Sequence, residues 1–200
     1  MHGFDCETLP SSLQGKKKII FGKFEELLLL HQDSFRPKLA DCGYDTMLIS
    51  KLFMEFLEQD KFYVYVLYAM NTTRIQNLCR SHKDFFVSMQ NVSGDKLGIG
   101  SFLVQPIQRF LRYRMLLLEI INQLRKQNDH KEITCAIATC IRAVCFVERF
   151  CNTLNEVQRL ADIDKCYYSD EEHFESKFML KPNAQMEPVS QLKIYGKKFQ

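Results

Sequence analysis

The sequence predicts an all-α protein, an elongated helical bundle, on three observations. Only eight glycines and five prolines punctuate its 200 residues. Between them run long segments whose apolar residues recur at three and four positions, the spacing of one helix face. The last of these, from Ile133, keeps that step through Ile137, Cys140, Val144, Val147, Cys151, Leu154 and Val157. As one helix, residues 133 to 160 would extend about 42 Å at 1.5 Å per residue, a length that suits an elongated bundle.

Three regions follow from a pass along the chain: an irregular segment over 1–14, a helical bundle over 15–164 and a tail over 165–200. Pro10, Ser11, Ser12 and Gly15 make the first irregular. From Ile19 to about Phe35, Ile20, Phe24, Leu27, Leu28 and His31 share one face and predict one helix, with Pro37 just after its end. Thr46 to Glu58 places Leu48, Leu52, Phe53 and Phe56 on one side of a second. Lys61 to Tyr68 mimics a strand, but it runs into Ala69, Met70, Arg74, Ile75 and Leu78 at helical spacing, so the whole reads as helix. A short helix over His82 to Met89 precedes the loop VSGDKLGIG. A long helix containing FLVQPIQRFLRYRMLLLEI follows, and a break at 127–130 separates it from the last helix. The tail is acidic and aromatic, then carries two prolines, and ends in a short alternating, strand-like pattern. It is either a linker or the opening of a second domain.

Composition removes several functional classes. A net charge of +3 with dispersed Lys and Arg gives no nucleic-acid footprint. No apolar run approaches the roughly 20 residues of a membrane span, and the start MHGFDCETLP lacks a signal pattern. The chain is therefore expected in the cytoplasm, its eight cysteines reduced, with Cys140, Cys145 and Cys151 acting as small core hydrophobes. Cys79 and His82 alone have metal-ligand spacing and find no second pair, so no metal or other cofactor is expected. His31 has no neighbouring ligand either and reads as a core or surface histidine. Paired carboxylates, or a nucleophile with its base, are not evident, which leaves a helical-bundle enzyme poorly supported.

The long helix has two faces. At 100° per residue, Gln105, Arg112, Glu119, Gln123 and Lys126 fall within about 60° of Gln108, with Asn122 close by. The opposite arc holds Leu103, Ile107, Phe110, Leu117, Ile121 and Leu124. An amphipathic helix with a solvated face would explain this much. Two features point beyond it. Met115 and Leu116 lie in or beside the polar stripe, a mixture suited to binding another protein. Arg114 lies inside the apolar arc, where it must snorkel outward or meet a carboxylate.

Residues Phe102 to Tyr113, then Leu116-Leu117-Leu118-Glu119, resemble the signature L-x-x-P-[VI]-Q-R-[IV]-x-[KR]-Y-P-L-L-L of the Dbl-homology, or DH, domain of exchange factors for Rho-family GTPases. Ile20-Phe21-Gly22-Lys23-Phe24-Glu25 with Leu30-His31 is similar to that family's I-F-G-N-I-E…L-H, and Leu154-Asn155-Glu156 to its I-N-E. The likeness covers about residues 14 to 162. It implies a regulator without covalent chemistry of its own, which grips a Rho-family small GTPase and stabilises its nucleotide-free state. Carried over by position, Gln108, Arg112 and Asn155 contact the GTPase, with Met115 and Glu119 on the same stripe. The tail then stands where the family begins a pleckstrin-homology domain, implying peripheral contact with a membrane.

Two departures qualify the resemblance. The family has a helix, with an acidic contact residue, upstream of the I-F-G segment. Only about eighteen residues precede that segment here, and CETLPSS around Glu7 does not match. The expectation is a bundle lacking its first helix, with impaired exchange and with Phe21, Phe24 and Leu28 uncovered. Arg114 also stands where the signature has proline, which allows a straighter helix. A DH-like scaffold or regulator that binds a GTPase or another protein without accelerating exchange is the alternative.

Overall fold

The computed structural model describes residues 9–127 and 131–164. Every regular element among them is helical. The predicted linker and strand-like end in the tail lie outside these residues.

A 3-10 turn at Ser11–Leu13 opens the described chain, and Leu13 is fully buried there, so part of the segment expected to be irregular is packed. The helix predicted over Ile19 to Phe35 is in fact broken at its start and extended at its end. Helix α1 (Lys17–Phe21) stops at Gly22, whose φ of 47° favours a residue without Cβ. After α2 (Phe24–Leu29) the chain continues as a π-helix (Leu30–Phe35) and then α3 (Arg36–Asp41). Pro37 was expected to follow the helix end, but it lies within the continuous helical run, at the second residue of α3 directly after the π-helix. The wider π turn before it brings His31 and Phe35 to the core, Phe35 being almost fully buried.

Asp45 caps α4 (Thr46–Glu58), its Oδ1 accepting from the Met47 and Leu48 N–H groups at 2.8 and 3.0 Å. Leu52, Phe53 and Phe56 are buried as predicted, whereas Leu48, in the first turn, is exposed. The strand-like stretch belongs to α5 (Tyr63–Ser81), in which Tyr65, Val66, Tyr68 and Ala69 are buried together. Packing on the bundle overrides the β-branched and aromatic propensity of those residues. Helix α6 (Lys83–Ser93) is longer than predicted and ends at Gly94 in the left-handed region, φ 66°. Gly98, φ 76°, begins the next helix, and a Cβ there would meet Gln90 Oε1 at 2.9 Å.

Helix α7 (Ile99–Arg125) starts about two turns before Pro106, so this proline lies in its interior and not in its first turn. The Phe102 carbonyl consequently loses its usual N–H partner. One residue on, the Leu103 carbonyl accepts the buried Tyr68 hydroxyl at 2.6 Å, tying α5 to the helix beside the proline. Helix α8 (Lys131–Asp164) has 34 residues and is about 50 Å long at 1.5 Å per residue.

The principal core lies where α4, α5, α7 and α8 meet around the π-helix. Its centre is a nest of edge-on aromatic rings: Phe35 lies 5.1 Å from Phe56 and 5.2 Å from Phe53, and Phe62 lies 5.1 Å from Phe110. Cys140 and Cys151 are buried in it as expected. Cys145 is exposed and is no core residue, because it falls on the opposite side of α8 from Val147. A second cluster joins Leu13, Ile20, Ile75, Cys79 and Leu103. His82 is committed there: its Nδ1 donates to the Leu78 carbonyl at 3.0 Å, and Nε2 meets the Ser12 hydroxyl at 2.7 Å. No metal-competent group of side chains occurs among the described residues.

Candidate functional site

The seven apolar positions that α7 buries, Leu103, Ile107, Phe110, Tyr113, Leu117, Ile121 and Leu124, define its inward face. Six of them form the arc read from the sequence; Tyr113 was not placed there. The outward face carries the predicted stripe. Gln105, Gln108, Arg112, Glu119, Gln123 and Lys126 are all exposed. Met115 is 66% exposed and Leu116 59%. A solvated helix face has no use for two such side chains side by side.

Glu119 accepts a hydrogen bond from Gln123 Nε2 at 2.6 Å, and this bond, with another from Asn122, holds its carboxyl below the usual range. It therefore remains an anion well into mildly acid conditions. Arg112 and Glu119 give the stripe one charge of each sign, two turns apart.

Helix α8 runs back along α7. Phe110 packs on Phe150 at 4.8 Å, and Arg114 Nη2 meets Glu148 Oε1 at 3.1 Å, so rising numbers on one helix meet falling numbers on the other. This bridge answers the question raised by an arginine inside an apolar arc. Part of the side chain stays inside: Arg114 Nε is buried and has no hydrogen-bond partner among the described residues. Asn155 is exposed and lies seven residues beyond Glu148 on the same flank of α8. In this antiparallel pair, two turns onward along α8 reach the level of Ile107 and Gln108. The fold thus sets Asn155 about level with Gln108, more than a turn from the level of Arg112, with Met115 and Glu119 farther along α7.

Three features of this region escaped the sequence. Glu148 is one acidic residue among many, and nothing in its spacing marks Arg114 as its partner. His31 makes a 2.7 Å hydrogen bond with the Tyr65 hydroxyl, while Arg109 Nε donates to the Tyr113 hydroxyl at 3.3 Å. Burial, aided by the Arg109 charge, lowers the His31 pKa to about 4, and burial raises that of Tyr65 above its ordinary value. The third is an apolar groove of about 510 Å³ lined by Leu39, Ile49, Ile120 and Leu124, and also by Leu116 and Glu119 of the stripe.

Comparison with known sequences assigns the fold. A RhoGEF domain is matched over residues 7–152, well over half of the chain. The chain belongs to the RhoGEF family. It is similar to Rho guanine nucleotide exchange factor 25 of Mus musculus, 26% identical over 155 residues, 77% of this chain and 24% of that protein. Pleckstrin homology domain-containing family G member 4B of Homo sapiens is 34% identical over 131 residues, 65% of this chain and 7% of that protein. Proto-oncogene DBL of Homo sapiens is 30% identical over 117 residues, 58% of this chain and 12% of that protein. The chain thus spans at most about a quarter of the length of these relatives. The RhoGEF match contains Gln108, Arg112, Met115 and Glu119 and ends three residues before Asn155.

Proposed function

We propose that this RhoGEF domain binds a Rho-family small GTPase through Gln108, Arg112, Met115 and Glu119 of α7 and Asn155 of α8, and promotes release of its nucleotide. The observation that carries the reading is the exposure of Met115 and Leu116 within a polar stripe on a helix whose other face is buried. Arg112 and Glu119 supply directional contacts on either side of that apolar centre, and Asn155 offers both an amide donor and a carbonyl acceptor. The names of the relatives, among them Rho guanine nucleotide exchange factor 25, support the same direction.

The mechanism requires no bond-making residue. A surface that holds the nucleotide-free GTPase more tightly than the loaded form weakens nucleotide binding by the same factor, since the two equilibria are linked. GDP then leaves, and GTP displaces the exchange factor in turn. Of the apolar residues expected to be uncovered, Leu28 is 44% exposed, whereas Phe21 and Phe24 are half-buried against the core clusters and are not uncovered. Within the same reading, the tail leads toward a pleckstrin-homology domain that holds the protein at a membrane, which co-sedimentation with anionic vesicles tests.

Release of a fluorescent GDP analogue from a panel of Rho-family GTPases is the deciding experiment. Acceleration with at least one of them is the expected result. Tight binding of the nucleotide-free form without acceleration would replace the exchange reading with that of a scaffold, and absence of both would end it.

A further inference from the structure

Arg114 is placed at a cost. Its Nε is buried and unpartnered among the described residues, and Nη2 alone reaches Glu148. An ion pair whose side chains are 41% and 47% exposed contributes little to stability. Its consequence must be sought in geometry. Around it, α7 and α8 meet through apolar side chains such as Ile107, Phe110, Leu117, Val147 and Leu154. Surfaces of this kind are strongly attractive but weakly directional, and ridges of one helix can settle in neighbouring grooves of the other. An ion pair in contact at 3.1 Å favours the register that brings its two charges together over neighbouring registers that would separate them.

We propose that Arg114 and Glu148 form a register pin between α7 and α8, and that this pin positions Asn155 relative to Gln108 and Arg112 for the GTPase. Neither residue of the pin touches the partner. The inference rests on the exchange-factor reading above. Glu148 and Asn155 share a flank of α8 two turns apart, and Arg114 lies on α7 between the stripe and the core, so a shift of one helix past the other at the pin moves Asn155 by the same amount. Residues in both helices that must meet one partner surface together tolerate little such movement.

The test is Glu148→Gln, which removes charge from a half-exposed side chain of unchanged shape and leaves folding intact; Arg114→Met and the reversed pair Arg114→Glu with Glu148→Arg accompany it. Glu148→Gln is expected to keep the melting temperature but speed amide hydrogen exchange over residues 148 to 158. It should weaken binding to a nucleotide-free Rho-family GTPase about tenfold, and a subsequent Asn155→Ala change should then weaken it little further. The reversed pair should recover most of the affinity. Unchanged amide exchange in Glu148→Gln overturns the pin. Equal affinity of the parent and Glu148→Gln, or full additivity with Asn155→Ala, overturns the positioning role alone. Failure of the unaltered protein to bind any GTPase of the panel brings down the functional reading together with that role, while amide exchange still decides the pin.

Discussion

Asn155 and Arg112 separate function from stability most cleanly at the scale of single residues, because both are exposed on helices whose other faces are buried. Asn155→Ala should leave the melting temperature unchanged and weaken GTPase binding by about 1 to 3 kcal/mol, the range for orphaning a partner's hydrogen-bonding group. A fall in melting temperature with unaltered binding would make the residue structural. Arg112→Glu should change stability by less than about 0.5 kcal/mol while abolishing capture of nucleotide-free GTPase; equal capture would remove the stripe from the interface. His31 has the opposite character. Its folded pKa of about 4 lies below the ordinary 6.5, so between these values the unfolded chain takes up the proton that the folded ring refuses. Stability is complete above about pH 6.5 and declines as the pH falls toward 4, by about 1 to 2 kcal/mol once the solvent-open part of the ring is discounted. Denaturant unfolding at pH 7 and pH 4.5 should reveal this loss, and His31→Phe should reduce it.

At the scale of helices, periodicity made most of the bundle legible, and the departures have local causes. The break at Gly22 is a backbone event that leaves the apolar spacing around it intact, so Ile20, Phe24 and Leu27 read as one face across two helices. Continuation through Pro37 depends on a π turn, which no residue pattern announces. The interior position of Pro106 has a related cause: the start of α7 is fixed by Asp95, whose carboxylate receives the Leu97 and Gly98 N–H groups at 3.0 and 2.7 Å and ends the preceding loop early. The interior proline has a functional reading that can be measured. Pro106→Ala restores an N–H for the Phe102 carbonyl and should raise stability by up to about 1 kcal/mol, less than the full cost of an interior proline because Tyr68 already braces the site. The same change should lower GTPase affinity, because Gln108 and Arg112 lie within two turns of the altered backbone. Increased stability with undiminished affinity would show that the proline is immaterial to recognition.

At the scale of the molecule, the sequence revealed which residues face the core more completely than which residues meet across it. The inward arc of α7 could be read from one helix alone. The Arg114 to Glu148 bridge, the His31 to Tyr65 bond and the groove between α3, α4 and α7 all join residues that only the tertiary fold brings together. That distribution also predicts how stability is apportioned. Helix α6 contains no buried residue and α1 only Ile20, whereas α7 and α8 contribute most of their inward faces to the main core. Segments with few buried apolar contacts open locally, at free energies below that of global unfolding. Native-state amide exchange should therefore find α1 and α6 opening first, and the middle of α7 and of α8 opening last. The candidate contacts at Gln108, Arg112 and Met115 would then stand on the most persistent part of the bundle and meet a GTPase already ordered, so that binding is not opposed by a folding cost. Equal protection of α6 and α8, or early exchange around Arg112, would refute this order and would require the stripe to become ordered on binding.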